Sequence, residues 1–306
     1  MFLTIFTPIY NREKYVTRLF NSIDSQTRKN FEWIIINDGS TDGTDKEINK
    51  NIAQKNREYD IRYITVKNGG KPRAINKAVQ LAKGKYFFIV DSDDWLVPNA
   101  VDLINNWCDD IEHDANSQNF AGVAGLRKYP DNKINGGRGN GKLIIDATNL
   151  EREKFNLGGD KAEIYKTNLL KKYPFKIFKD ENFITEGTVW NKIAADGYII
   201  RWHMVPIYVG DYLSDGLTKN SLKRDMNNFN GLVYTTKLGL ELEPVRNTFR
   251  YLYNYVEVGK AKSYSYKKLA KLIGISTYSL FIKYNLFKSL KKGKHFITSE
   301  TVKSFV

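Results

Sequence analysis

Phe87-Phe88-Ile89-Val90-Asp91-Ser92-Asp93-Asp94 is the stretch whose reading decides the fold. An apolar run ends there in three carboxylates within four positions. A short apolar run bounded by polar turn residues suits a strand buried on both faces of a sheet. Side chains at i and i+2 of a strand share a side, so the spacing predicts Asp91 and Asp93 together at the strand end. Carboxylates held that close repel unless something positive sits between them. Hard oxygen donors of this kind suit Mg²⁺ or Mn²⁺, usually held by one or two carboxylates plus substrate phosphates. An acidic turn capping the next helix is the bland reading of the same residues.

The neighbouring segments favour a site. Phe2 to Thr7 reads as a first strand, stopped by Pro8, and a helix opens at Asn11-Arg12-Glu13 with apolar positions at Val16, Leu19, Phe20 and Ile23. Phe31 to Ile36 is a second strand, followed by the turn-rich Asn37-Asp38-Gly39-Ser40-Thr41-Asp42-Gly43 and a helix through Arg57. Ile61 to Val66 is a third strand, followed by Asn68-Gly69-Gly70-Lys71 and a helix that starts at Pro72 and stops at Gly84. Strand and helix alternate four times before residue 112, which predicts an α/β fold, a mostly parallel sheet with helices on both faces. Ligands of open α/β sheets bind at the carboxyl ends of strands, where all four polar loops would converge.

Beyond the fourth strand the pattern loosens. A helix is expected over 98–112 and a strand over 120–126, then an irregular stretch around the glycine-rich 135–141, a lid or a plain surface loop. Asp180, Glu181 and Glu186 precede a helical Val189 to Ala194, and a strand-like Tyr198 to Val209 carries His203, a possible third metal ligand or a core histidine. Asp211 and Asp215 follow in a turn, as acceptor contacts or loop residues. The expected division is a catalytic domain over 1–215 and a basic helical C-terminal extension over 216–306.

Net charge is +14, which points to an anionic partner. No recognition motif for nucleic acid accompanies it, and no Gly-x-Gly-x-x-Gly follows the first strand, which argues against a dinucleotide-binding dehydrogenase. Cys108 is the sole cysteine, so an internal disulfide is excluded and a reducing cytoplasm is the simplest compartment. No apolar run reaches the length of a transmembrane helix, and nothing at the N-terminus reads as a signal peptide. Lysines alternate with Leu, Ile, Phe and Tyr after residue 260, which predicts docking on an anionic membrane surface or packing onto the catalytic domain.

Thr7-Pro8-Ile9-Tyr10-Asn11-Arg12, the Asn37 to Asp42 loop, Gly70-Lys71-Pro72-Arg73-Ala74-Ile75-Asn76 and Asp91-Ser92-Asp93-Asp94 together resemble family 2 glycosyltransferases of the GT-A (Rossmann-like) fold. The resemblance covers roughly residues 1–205. It implies inverting transfer of a sugar from a nucleotide-sugar donor, usually a UDP-sugar, with Mn²⁺ or Mg²⁺. By that analogy Thr7, Pro8 and Tyr10 line the nucleotide pocket and Asp38 receives the base. Lys71 lies near the base or diphosphate, Asp91 and Ser92 near the ribose, and Asp93 on the metal. The family often places its general base in a Glu-Asp pair before a helix. Glu186-Gly187 stands there, so Glu186 is the first candidate, with Glu181 or Asp180 behind it. The implied acceptor is a glycan or polyprenyl-linked precursor of a bacterial surface polysaccharide or capsule. The missing aspartate keeps open a noncatalytic nucleotide-sugar or glycan-binding module.

Overall fold

The first strand, β1 (Leu3–Ile9), runs through Pro8 rather than stopping before it. The Phe6 carbonyl accepts from the Val90 N–H and the Ile9 carbonyl from the Asp38 N–H, so even and odd residues bond to opposite neighbours. Pro8 thus aims its hydrogen-less nitrogen to the side where strand pairing ends at Phe6, and no ladder bond is lost there.

The computed structural model describes residues 1–211 and 220–293. After β1 come α1 (Glu13–Asp24), β2 (Phe31–Asn37), α2 (Thr44–Ala53), β3 (Asp60–Thr65), α3 (Lys71–Leu81) and β4 (Tyr86–Ile89). The chain continues through β5 (Trp95–Leu96), α4 (Ala100–Glu112), β6 (Phe120–Lys128), β7 (Ile144–Ala147), β8 (Lys161–Lys166), α5 (Thr167–Leu170), α6 (Gly187–Ala195) and β9 (Ile199–Val209). Then follow α7 (Ser221–Asn227), α8 (Phe229–Leu242), α9 (Val245–Ala261), α10 (Tyr266–Ile273) and α11 (Thr277–Gly293). Asp215, His295 and the remainder of the lysine-rich tail after residue 293 lie outside the described residues.

Among the described residues the strands form one nine-stranded sheet in the order β3-β2-β1-β4-β8-β6-β9-β5, with β7 also on β9. The first four are parallel to one another, and β8 joins β4 antiparallel. Helices cover both faces of the parallel half. Val16, Leu19, Phe20 and Ile23 of α1, Ile48 of α2 and Ile104 and Ile111 of α4 pack with Leu3, Ile5, Trp33, Ile35 and Phe88. The alternate side chains, among them Phe6 and Phe87 with centroids 5.6 Å apart, are buried on the other face, on the side of α3. That two-sided burial is why β1, β2 and β4 read as mostly apolar runs.

Two helices end earlier than their periodicity predicts, and buried charges explain both. Arg57 donates to the carbonyls of Asn51 and Ile52 and pairs with Asp24 at 2.8 Å, so the chain turns at the last carbonyls of α2. At the end of α3, Glu32 in the buried strand β2 accepts from Thr4 Oγ1 at 2.7 Å and from the N–H of Lys83 at 2.6 Å, and it pairs with Arg62. Burial works to raise the Glu32 pKa, but these donors together hold it below the ordinary carboxylate range. The glycine-rich stretch is pinned rather than loose: buried Lys161 donates to the carbonyls of Asn135 at 3.1 Å and Gly158 at 2.6 Å.

The chain divides into two compact units, one of residues 1–175 and 189–213, the other of 176–188 and 214–306. Residues 176–188, which the sequence reading leaves in the catalytic domain, pack with α7 and α8. Asn228 accepts from the N–H groups of Asn182 and Phe183 at 2.8 and 2.9 Å, and the Glu181 carboxylate accepts from those of Asn230 and Gly231 at 2.7 Å. Glu181 thereby caps α8. The core of this unit joins Phe229, Leu252, Tyr255, Val256, Leu269, Ile273, Leu280 and Tyr284.

His203 is a core residue of β9. Its ring stacks on Trp107 of α4 with centroids 4.2 Å apart, and its Nε2 is buried without a hydrogen-bond partner. Burial lowers its pKa from 6.5 to about 4, helped by Arg201. The unfolded chain therefore takes up a proton first as pH falls below 6.5, so the stability held by neutral His203 is complete above that value and is lost down to about 4. The slope is at most about 1.4 kcal/mol per pH unit. His203→Phe keeps the stacking and removes the titration. Urea unfolding between pH 7 and 4 should show a shallower loss of stability in the variant, and coincident pH profiles would contradict the neutral buried ring.

Candidate functional site

The carboxyl ends of β1 to β4 carry loops that hold one another. Asn11, at φ 50°, donates its N–H to Ser40 Oγ at 3.0 Å and accepts from the Thr41 N–H at 2.8 Å. The Arg12 N–H reaches Thr44 Oγ1 at 2.8 Å, and Glu13 accepts from the Gly43 N–H at 3.2 Å. Gly39 sits at φ 74°, and a Cβ there would lie 2.8 Å from the Asn68 nitrogen, so the turn after Asp38 requires glycine. The buried Asp38 carboxylate accepts from the N–H groups of Gly69 at 2.8 Å and Gly70 at 2.7 Å. Burial raises its pKa against the pull of those bonds and of Arg73.

The loop that Asp38 braces opens α3. Gly70 is its N-cap at φ 90°, Lys71 and Pro72 begin it, and the first turn holds no acid. A lysine at a helix N-terminus opposes the helix dipole. Together with the dipole and Arg73 it makes a concentrated positive end, suited to phosphate. Lys71 Nζ pairs with Asp91 Oδ1 at 2.7 Å.

Asp91 and Asp93 come together by a different route from the one their spacing predicts. β4 ends at Ile89, and residues 91–94 form a turn in which the Asp94 N–H donates to the Asp91 carbonyl at 3.1 Å. Strand alternation therefore does not set their common side. Tyr208 of β9 holds the turn, its hydroxyl accepting from the Asp91 N–H at 2.9 Å. Arg12 Nε stands 3.8 Å from Asp93 Oδ2, and Arg18 Nη2 donates to the Asp93 carbonyl at 2.5 Å. Burial first, and Asp91 second, push the Asp93 carboxyl above the ordinary carboxylate range, against Arg12 and Lys71. Asp94 is buried and pairs with Arg127 at 3.2 Å, which in turn holds Asp160 at 2.6 Å. Burial pushes Asp94 up to about 7, Arg127 opposing and Asp91 and Asp93 adding to the rise.

Such a pair fits a divalent cation: two crowded carboxylates, one destabilised in its charged form, next to a phosphate-seeking helix end. Among the described residues no three His, Cys, Asp or Glu side chains form a ready-made metal cluster, so phosphate and water oxygens would complete the shell. His203 is no part of it. It stands six residues before Val209, which pairs with Trp95 beside the turn, or roughly 20 Å along β9 at about 3.3 Å per residue.

The other expected site residues are scattered in character. Thr7 is fully buried and its hydroxyl accepts from Trp33 Nε1 at 3.1 Å, so its side chain secures the core beneath β1. Pro8 is half-buried, Tyr10 is 45% exposed beside the laced loops, and Ser92 is buried in the acidic turn. Glu186 is half-buried directly before α6 and belongs to the second unit. Asp180 is exposed at φ 60°. Arg12 and Asp94 enter the sequence reading only as members of their motifs, with no role given, and Arg18 and Arg127 do not enter it. Beside the turn an open groove of about 470 Å³ is lined by Arg18, Asn21, Trp95, Lys128 and Asn132.

Residues 4–155 match the sequence model of Glycosyl transferase family 2. The chain carries a family 2 glycosyltransferase domain. Glycosyltransferase GlyA of Streptococcus pneumoniae is 37% identical over 102 residues, 33% of this chain and 14% of that protein. Chondroitin synthase of Pasteurella multocida is 43% identical over 101 residues, 33% of this chain and 10% of that protein. Glycosyltransferase GlyG of S. pneumoniae is 36% identical over 103 residues, a third of each (33% and 33%). The matched family 2 segment is thus a third of its relatives' length or less. Staphylococcus aureus TarS 1–349 in complex with UDP-GlcNAc superposes with a TM-score of 0.62 at 19% identity, over 85% of this chain and 73% of that one. A mannosyltransferase from Pyrobaculum calidifontis in complex with GDP-Man and Mn²⁺ does so at 0.53 and 14%, over 97% and 76%. At these identities the likeness is one of fold, which is GT-A.

Asp38→Ala should leave the Gly69 and Gly70 N–H groups without their acceptor, at a cost of about 2–3 kcal/mol. Urea unfolding measures that loss. Amide exchange at residues 69–71 should quicken locally, and unchanged exchange there would show that Asp38 does not hold the loop.

Proposed function

We propose that this chain is an inverting glycosyltransferase, moving a sugar from a UDP-sugar to a glycan or polyprenyl-linked acceptor in bacterial surface polysaccharide synthesis. The observation that carries the reading is the Asp91–Asp93 turn facing Lys71 at the start of α3, inside loops knitted at the carboxyl ends of four parallel strands. A nucleotide-sugar donor agrees with the family match and with fold neighbours bound to UDP-GlcNAc and GDP-Man. A polysaccharide product agrees with the chondroitin synthases among the relatives.

In this reading Pro8, Tyr10 and Asp38 border the base. Each Asp38 oxygen already takes one main-chain N–H and keeps a further lone pair. Asp91 and Ser92 lie toward the ribose and diphosphate, and Thr7 supports this floor from the core through Trp33. Lys71 moves from Asp91 to the diphosphate, whose negative charge grows as the glycosidic bond breaks. Asp93, with the phosphates, would hold Mn²⁺ or Mg²⁺, which acts as Lewis acid on the leaving group. Glu186 takes the proton of the attacking acceptor hydroxyl on the face opposite the leaving diphosphate. The Trp95 groove, with its amide and cationic side chains, suits an oligosaccharide acceptor.

UDP release from a panel of UDP-sugars, with Mn²⁺ and with chelator, tests the proposal. Asp93→Ala should abolish the metal-dependent release while the melting curve stays that of the parent. Turnover of Asp93→Ala in chelator at the parent rate would remove the metal role.

Glu186→Gln should lose about 10²–10⁴ in transfer rate. Its affinity for UDP, read by calorimetry, should be kept. Transfer at the parent rate would move the base to Asp180, because Glu181 is engaged at the N-terminus of α8.

A further inference from the structure

The helix α11 is apolar on two sides. Leu280 and Tyr284 are buried in the core of the second unit, where Tyr284 donates to Glu257 and accepts from Lys260 at 3.1 Å. Tyr278, Phe281, Ile282, Leu286 and Leu290 are exposed instead, Tyr278 at 75%, Ile282 at 42% and Leu286 at 50%. At about 3.6 residues per turn, Tyr278, Ile282 and Leu286 lie opposite Leu280 and Tyr284, and Phe281 and Leu290 form the shoulders of that outer face. Lys283 and Lys288, both half-buried, fall on its two borders. From Lys260 to Gly293 the sequence holds nine lysines (260, 262, 267, 268, 271, 283, 288, 291 and 292) and no Asp or Glu.

An exposed apolar face between lysines, in a stretch without a single acid, is complementary to one kind of partner. We propose that the outer face of α11 docks on an anionic lipid bilayer, with Ile282 and Leu286 entering the headgroup boundary and Lys283 and Lys288 reaching lipid phosphates from its borders. Apolar insertion and cationic attraction add to one another in such helices. Long lysine stems at the borders of an apolar face cover it while their ammonium groups stay at the polar level. A second copy of this chain is a poorer occupant, because it would bring the same lysines against these. The proposal is independent of the sugar-transfer reading, and its test needs no turnover.

The 306-residue chain should sediment with vesicles of phosphatidylcholine and phosphatidylglycerol (7:3) at low salt and remain in the supernatant with phosphatidylcholine alone. Ile282→Gln/Leu286→Gln, at exposed helix positions where Gln is a good helix former, should weaken sedimentation by about tenfold or more with unchanged circular dichroism and melting. Cys108 is fully buried, so Leu286→Cys can be labelled selectively with an environment-sensitive fluorophore. Its emission should shift to the blue on adding anionic vesicles, whereas a label at exposed Lys46→Cys should not respond. Equal sedimentation of parent and double variant, or no shift at Leu286→Cys, would overturn the proposal. So would light scattering that finds a dimer dissociated by the double variant, which would assign the face to self-association.

Discussion

Three carboxylates within four residues at the end of a buried strand are tolerable only if cations reach them, and each cation comes from a different part of the chain. Asp91 takes Lys71 from the start of α3, Asp93 takes Arg12 from the approach to α1, and Asp94 takes Arg127 from the end of β6. Of the three, the Asp94–Arg127 pair is the one buried on both sides, and removing one of its partners leaves an uncompensated charge, a larger penalty than the net worth of the pair. The acidic turn therefore fixes where three other elements must stand. Gly210, just past β9, shows how closely: a Cβ on it would lie 1.8 Å from Asp94 Oδ1.

The same turn is in tension with itself. Burial disfavours the charged forms of both Asp93 and Asp94, but Asp94 has Arg127 at 3.2 Å against it, whereas Asp93 faces Arg12 at 3.8 Å, beyond hydrogen-bond reach. A cation with phosphate oxygens would relieve what the protein leaves strained. The surrounding loops do not need to be organised for that event, since Asn11, Ser40, Thr41 and Thr44 already hold one another and Asp38 holds Gly69 and Gly70. Little ordering entropy then opposes binding.

β1, β2 and β4 were legible in the sequence because they are buried on both faces and so appear as mostly apolar runs, each followed by turn residues, whereas the edge strand β3 is only half-buried and reads Asp60-Ile61-Arg62-Tyr63-Ile64-Thr65. The rest obeys partners remote in sequence. β5 has only Trp95 and Leu96, and β7 leaves Ile144 half exposed, so neither has a pattern long enough to detect. Charged residues are expected at the surface, yet Lys161, Arg127 and Glu32 are buried, because carbonyls, main-chain N–H groups or opposite charges from 3 to 52 positions away meet them. Of the candidate site, Lys71 and the Asp91–Asp93 pair were legible as residue types in a loop. That Asp93 faces Arg12, and that a turn rather than a strand joins the two carboxylates, depends on the tertiary fold.

Lys71 also has a consequence for the stability of the fold as a whole. It stands where the dipole of α3 favours an acid or a neutral residue, a mismatch of about 0.3–1 kcal/mol, and its pair with Asp91 acts against that cost. The helix end that presents positive charge thus carries an electrostatic cost within its own first turn.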